Sequence, residues 1–120
     1  MSLQFDDDSK DRETARRLFN ASVEKLDEID LRDDLDQLAA LCAALDGAVA
    51  PSTTTANLSS AVGTRTVIVD RTRPWCPMIG DKEAILSATE RVFPPNQGDW
   101  DWVFHETRRR VLDWFSQPNT

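Results

Sequence analysis

Ala48-Val49-Ala50-Pro51-Ser52-Thr53-Thr54-Thr55, followed shortly by Thr66-Val67-Ile68-Val69, is the stretch that decides the fold. Gly47 ends a preceding helix, and Ala48 to Ala50 can only be a short buried strand, because Pro51 cannot continue one. Four hydroxyl side chains then precede Ala56, Leu58, Ala61 and Val62, whose spacing is helical. Gly63 closes that helix. Thr66 to Val69 is the clearest strand in the chain, a β-branched run of the kind buried in parallel sheets. A strand, a helix and a second strand within 22 residues define a parallel crossover unit.

Working toward the N-terminus, Leu35, Leu38, Leu41, Cys42 and Leu45 mark one face of a helix, with Asp33 and Asp34 at its positive end. Leu3 to Phe5 reads as a brief strand, and Ala15, Leu18 and Phe19 as the apolar side of a first helix. Between them, Asp6-Asp7-Asp8 is a solvated turn rather than a magnesium site, since consecutive carboxylates rarely converge on one ion. Toward the C-terminus, residues 70–82 carry Pro74, Pro77 and Gly80 and read as loop. Residues 83–90 are ambiguous, and Arg91 to Phe93 is a last strand. Asp99 is suited to cap a final helix whose apolar stripe is Trp100, Val103, Phe104, Val111, Trp114 and Phe115. Strands alternating with helices predict an α/β fold: a small parallel sheet of about five short strands with helices on both faces.

The chain has 120 residues, 14 Lys and Arg against 21 Asp and Glu, and a net charge of −7. That size fits one domain over residues 1–120, and that charge argues against nucleic acid or an anionic membrane as partner. No apolar run approaches a membrane span, and the N-terminus is acidic where a signal peptide is basic, so a cytoplasmic location is expected. Cys42 and Cys76 form no CxxC pair and no ligand set, and both read as reduced packing residues.

In open parallel sheets, ligands bind beyond the carboxyl ends of strands, where helix N-termini present unpaired N–H groups and partial positive charge. The segment from Ser52 to Thr55 puts four hydroxyls at such a place, fit to hold a phosphate without a basic side chain. The plainer reading is that one of them caps the helix and the rest are solvated.

Residues 29–41 (Ile29 to Leu41), Ala44-Leu45-Asp46, Thr53 to Gly63 and Thr66 to Val69 resemble the C-terminal part of heptosyltransferase-like glycosyltransferases, closest to versions that follow tetratricopeptide repeats. Ser2 to Phe5, Pro74-Trp75-Cys76-Pro77 and Gly98-Asp99-Trp100 fall in the family's order, so the resemblance spans nearly the whole chain. It implies a Rossmann-like donor-binding domain, part of the C-terminal half of a two-domain (GT-B) transferase, that binds a nucleotide-diphosphate sugar without metal or other cofactor. The family has an Asp-Thr or Asp-Asn pair and then His-Leu-Ala at the donor phosphates. Here Thr53 matches the Thr, Ser52 stands where the Asp is expected, and Asn57 where the His is expected. Asn57 can donate a hydrogen bond to phosphate but cannot carry charge or shuttle a proton. The resemblance and the hydroxyl run together point to Ser52, Thr53, Thr54, Thr55 and Asn57 as the phosphate site. Arg71 and Arg73 flank the end of the best strand and are candidate donors to phosphate, the plainer reading being an exposed loop; Trp75 is a candidate to stack on a base or sugar, the plainer reading being packing at a domain edge.

The family's first donor-domain strand and its acceptor domain, with the catalytic base, lie ahead of the point where this sequence starts. No catalytic residue is therefore assigned, and no transferase activity is expected of this chain alone. Without that strand, those near Leu3 and Val49 must pair directly or leave an exposed edge. A rearranged small sheet is then expected, or a partner chain that covers the gap, either a separate acceptor-domain chain or a second copy. His105, the only histidine, lies within the terminal helix without a recognisable nucleophile and reads as a surface residue. The alternative function is a protein-interaction module or homodimer that uses the sheet edge or the Trp-rich C-terminal helix.

Overall fold

A computed structural model describes residues 1–72 and 89–116, together with the backbone of 78–79 and 82–83. The chain divides into two compact units, Met1–Leu41 and Cys42–Thr120.

The first unit holds α1 (Ser9–Phe19) and the start of α2 (Leu35–Ala44). Leu3 to Phe5 forms no strand. With only three residues before an acidic turn, this segment has no ladder to join; the Ser2 N–H bonds the Glu24 carbonyl at 2.7 Å, and the Arg32 guanidinium stacks over the Phe5 ring. The solvated acidic turn is also only partly realised. Asp8 is buried, bonded by the Ser2 hydroxyl and by Arg12 Nε at 2.9 Å, with Lys25 Nζ 3.6 Å away. The Ser2 hydrogen bond first, then Arg12 and Lys25, holds the Asp8 carboxyl below its ordinary range. The expected first helix forms, yet none of its residues is buried, and Leu18 and Phe19 are exposed. At the start of α2, where Asp33 and Asp34 were placed for their charge, Asp34 Oδ1 also accepts from the Gln37 N–H at 3.0 Å and caps the helix.

The second unit is the α/β part. β1 (Ala48–Pro51), α3 (Thr54–Ala61), β2 (Thr66–Val69), β5 (Thr89–Val92) and α4 (Trp100–Ser116) form it with two-residue strands β3 (Met78–Ile79) and β4 (Lys82–Glu83). The sheet order is β1-β2-β5-β4-β3. β1, β2 and β5 are parallel, whereas β3 and β4 pair antiparallel. The parallel part thus has three strands, fewer than the five expected, and β3 falls inside the stretch read as loop. The last strand begins at Thr89, before Arg91, and ends short of Phe93.

Alternation along β2 shows which helix covers which face. The Thr66 hydroxyl is hydrogen-bonded to the Ser59 hydroxyl of α3 at 3.0 Å, while its neighbour Val67 packs with Val92 and Val103 of β5 and α4. Adjacent residues point to opposite sides of a strand, so α3 and α4 lie on opposite faces, as the pattern predicts. α3 ends in a Schellman motif: Thr64 N–H to Ser59 O at 3.1 Å and Gly63 N–H to Ser60 O at 3.0 Å, with Gly63 at φ +87°. Cys42 is fully buried, and burial pushes its thiol pKa up against an opposing hydrogen bond with Ser59.

Three sequence expectations change here. β1 is an outer strand of the sheet rather than a buried one, and Val49 is half exposed. Gly47 lies beyond the end of α2 at Ala44, and its bare Cα is needed elsewhere: a Cβ there would come within 2.4 Å of Trp114 Cζ3. The buried line of α4 is Val103, Thr107 and Arg110, with Trp114 partly buried against the core, whereas Phe104 and Phe115 are exposed. On that side of the helix Arg110 Nη1 donates to Glu90 Oε2 of β5 at 2.9 Å.

Candidate functional site

The register pairs Pro51 with Val69 and Val69 with Val92, so the three parallel strands end level and their following loops leave the sheet together. These loops make the carboxyl edge where an open parallel sheet holds its ligands.

The first loop runs into α3. Thr53 is its N-cap, in extended backbone geometry, and its carbonyl accepts from the Asn57 N–H at 3.1 Å. Its hydroxyl makes no capping bond, so the first-turn amides, which have no intrahelical acceptor, receive no side-chain partner from it. The simple capping account of this Ser/Thr run therefore does not describe Thr53. Ser52, Thr53, Thr54 and Asn57 are exposed and Thr55 is half-buried. Thr53 and Asn57, four residues apart and spanning the first helical turn, sit on one side of the helix start.

The second loop follows β2. The Asp70 N–H donates to the Val92 carbonyl at 2.8 Å, and its carboxylate accepts from Arg91 Nη1 at 2.9 Å. Both side chains of this pair are largely buried. Asp70 is thereby tied to β5 through backbone and side chain, and it carries the exposed Arg71 and Thr72 outward.

The third loop joins β5 to α4. Asp99 N–H bonds Asn96 O at 3.2 Å, Trp100 N–H bonds Gly98 O at 2.9 Å, and Gly98 sits at φ +89°. Asp99 Oδ1 accepts from the Trp102 N–H at 3.1 Å, completing the cap expected of it. Between the second and third loops lies a cleft of about 420 Å³ lined by Arg71, Thr72, Gln97, Gly98 and Trp100.

Among the residues singled out by sequence, Ser52 to Thr55 and Asn57 gather at the start of α3, and Arg71 lies at the same sheet edge but in the separate cleft. Arg73 and Trp75 lie outside the described residues. Thr72, Gln97 and Trp100 were missed as site residues; Gly98 followed by the capping Asp99 was the available signal, marking a turn that launches a helix beside the sheet edge. The basic stretch Arg108-Arg109-Arg110 is largely committed within α4. Arg109 bonds Glu106 and Asp113, and Arg110 bonds Glu106 and Glu90. The Arg109 hydrogen bond first, with Arg110 adding to it, pulls the Glu106 carboxyl down to about 2. His105 is exposed, as expected. Among the described residues, no group of three or more His, Cys, Asp or Glu is arranged to hold a metal ion, and no helix is long and apolar enough to cross a membrane.

No family model and no solved structure matches the chain. Over 75 residues, 62% of its length, it is 35% identical to Protein FlbA of Caulobacter vibrioides. The chain spans about 13% of that protein's length.

Proposed function

We propose that the chain is a glycosyltransferase-related domain, Rossmann-like in layout, that binds a nucleotide-diphosphate sugar and does not transfer the sugar by itself. The observation that carries the reading is the uncapped start of α3: unpaired first-turn amides beneath a run of hydroxyls, at the carboxyl edge of a parallel sheet. A diphosphate is the ligand such a place suits, because amide and hydroxyl donors can spread its charge without a basic residue. Asn57 adds an amide donor there, in place of the family's histidine. Sugar transfer would require an acceptor-domain chain with a base, since catalysis in this class depends on placement and on stabilising the departing diphosphate.

Titration with ADP, GDP, UDP and their sugar conjugates, followed by Trp fluorescence and thermal unfolding, tests this. Saturable binding is expected, with stabilisation of about 2.7 kcal/mol at a hundredfold excess over Kd. Thr54→Val and Thr55→Val should weaken it. The absence of any binding overturns the reading.

A second reading, an interaction module or homodimer, draws on Trp100, Phe104, Leu112 and Phe115, all exposed on α4. The sheet edge supports it less. Ala48 N–H bonds Arg65 O at 2.8 Å, so by strand alternation Val49 and Pro51 turn their backbone groups outward. Pro51 has no N–H to offer a joining strand, which blunts that edge. Light scattering across a concentration series tests the homodimer, which requires a species of twice the chain mass.

A further inference from the structure

We infer that the cleft between the loops after β2 and β5, lined by Arg71, Thr72, Gln97, Gly98 and Trp100, takes the glycosyl end of the donor, while the start of α3 takes its diphosphate. The inference rests on the donor-binding reading above and deepens it.

Three observations carry it. The first is the chemistry of the lining. Among the described residues, an indole, an amide, a hydroxyl and a guanidinium line about 420 Å³. A pyranose ring presents an apolar C–H face to an aromatic and a rim of hydroxyls to amide and hydroxyl partners. Among the described lining residues Trp100 supplies the aromatic surface. Arg71 stands ready for the phosphate nearest the sugar.

The second is placement. The strand order puts the β2 end one position, and the β5 end two positions, from the β1 end that leads into α3. At strand spacing the offset from the phosphate site is roughly 5–10 Å, which the diphosphate of one ligand can bridge.

The third is that both walls are preformed. Asp70, from which Arg71 and Thr72 extend, is fixed by Arg91 and by the Val92 carbonyl. The Gln97 to Trp100 wall is folded by the Asn96–Asp99 and Gly98–Trp100 backbone bonds and by the Asp99 cap. Trp100 is further steadied by Phe104, with ring centroids 6.0 Å apart. A subsite set on supports of this kind loses little freedom when it is filled.

The test is calorimetric titration of the full chain and its variants with ADP, GDP and UDP, each beside its hexose conjugate. At least one conjugate should bind tenfold or more tightly than its own nucleoside diphosphate. Trp100→Ala should abolish that advantage while leaving the nucleoside diphosphate affinity within twofold. Gln97→Ala, in an exposed loop where folding is not at stake, should reduce the advantage severalfold. Equal binding of conjugates and parent diphosphates by the wild type, or an advantage that survives both substitutions, overturns the cleft assignment and leaves the donor-binding reading intact. No binding of any probe overturns both.

Discussion

Gly47→Ala should destabilise the second unit through a single collision. A methyl built on Gly47 lies 2.4 Å from Trp114 Cζ3, 2.8 Å from Cε3 and 3.2 Å from the Arg65 carbonyl. Carbon contacts are optimal at about 3.5–4.0 Å, so the indole must retreat by about 1 Å or more. It has little room, because Trp114 packs against the Val67, Val92 and Val103 cluster and its carbonyl accepts from Arg65 Nη1 at 3.1 Å. The backbone opposite is held too, since the Arg65 carbonyl accepts the first ladder bond from Ala48 at 2.8 Å. Overpacking of this kind costs about 1–3 kcal/mol, and the stiffer unfolded chain of an alanine variant offsets about 0.4–1 kcal/mol of it. A net loss of about 1–2 kcal/mol should lower Tm by roughly 4–16 °C for a unit of this size. Urea unfolding followed by far-UV circular dichroism measures the loss, and a double-mutant cycle assigns its cause. In a Trp114→Leu background the ring is gone, so Gly47→Ala should be neutral or mildly stabilising. A Gly47→Ala protein as stable as wild type, or an equal penalty in both backgrounds, refutes the account.

Two further outcomes follow from the charged pairs. Asp70→Ala removes a carboxylate that accepts from Arg91 across a largely buried pair and should cost about 1–3 kcal/mol in chemical denaturation; a variant as stable as wild type would show that this pair does not hold the loop after β2. Glu106→Gln should cost about 1–2 kcal/mol at pH 7. Because the folded-state carboxyl is depressed from 4.5 to about 2, its contribution is complete above pH 4.5 and disappears as pH falls through that window. Wild type and Glu106→Gln should therefore converge in stability toward pH 2, and a constant difference across the window would show that the carboxylate charge is not what Arg109 and Arg110 use.

The parallel core was legible because its signals are local. Pro51 bounds β1, Gly63 at positive φ ends α3, and the β-branched run from Thr66 to Val69 supplies the inner strand that both helices cover. The cap at Asp99 was legible for the same reason: one side chain and one amide three residues on settle it. Asp34 was placed for its charge at the start of α2, and its capping bond adds to that. The strand at Leu3 to Phe5 was not legible, since an apolar triplet is a strand only when an edge is there to receive it. Periodicity caught part of α4: of the expected stripe, Val103 is buried and Trp114 packs partly buried against the core, whereas Trp100, Phe104 and Phe115 are exposed. The stripe could not announce Arg110, a buried residue whose guanidinium pairs with Glu90 on β5.

The candidate site divides along the same line. The hydroxyl run at α3 could be found from spacing, because its strand, turn and helix are consecutive. The cleft could not, because Arg71 and Trp100 are brought together by the pairing of β2 with β5, and that pairing passes over β3 and β4. Nothing in either segment announces the other. Among the described residues, the buried Asp70–Arg91 pair records the connection in side chains, tying the loop after β2 to β5 at the point where the two cleft walls separate. A carboxylate directly after a buried β-branched strand, with an arginine inside a later strand, is thus a sign that two loops converge. By that reasoning, Asp70 in its Asp-Arg-Thr sequence is a better marker of the cleft than Arg71, whose exposed guanidinium alone fits any surface loop.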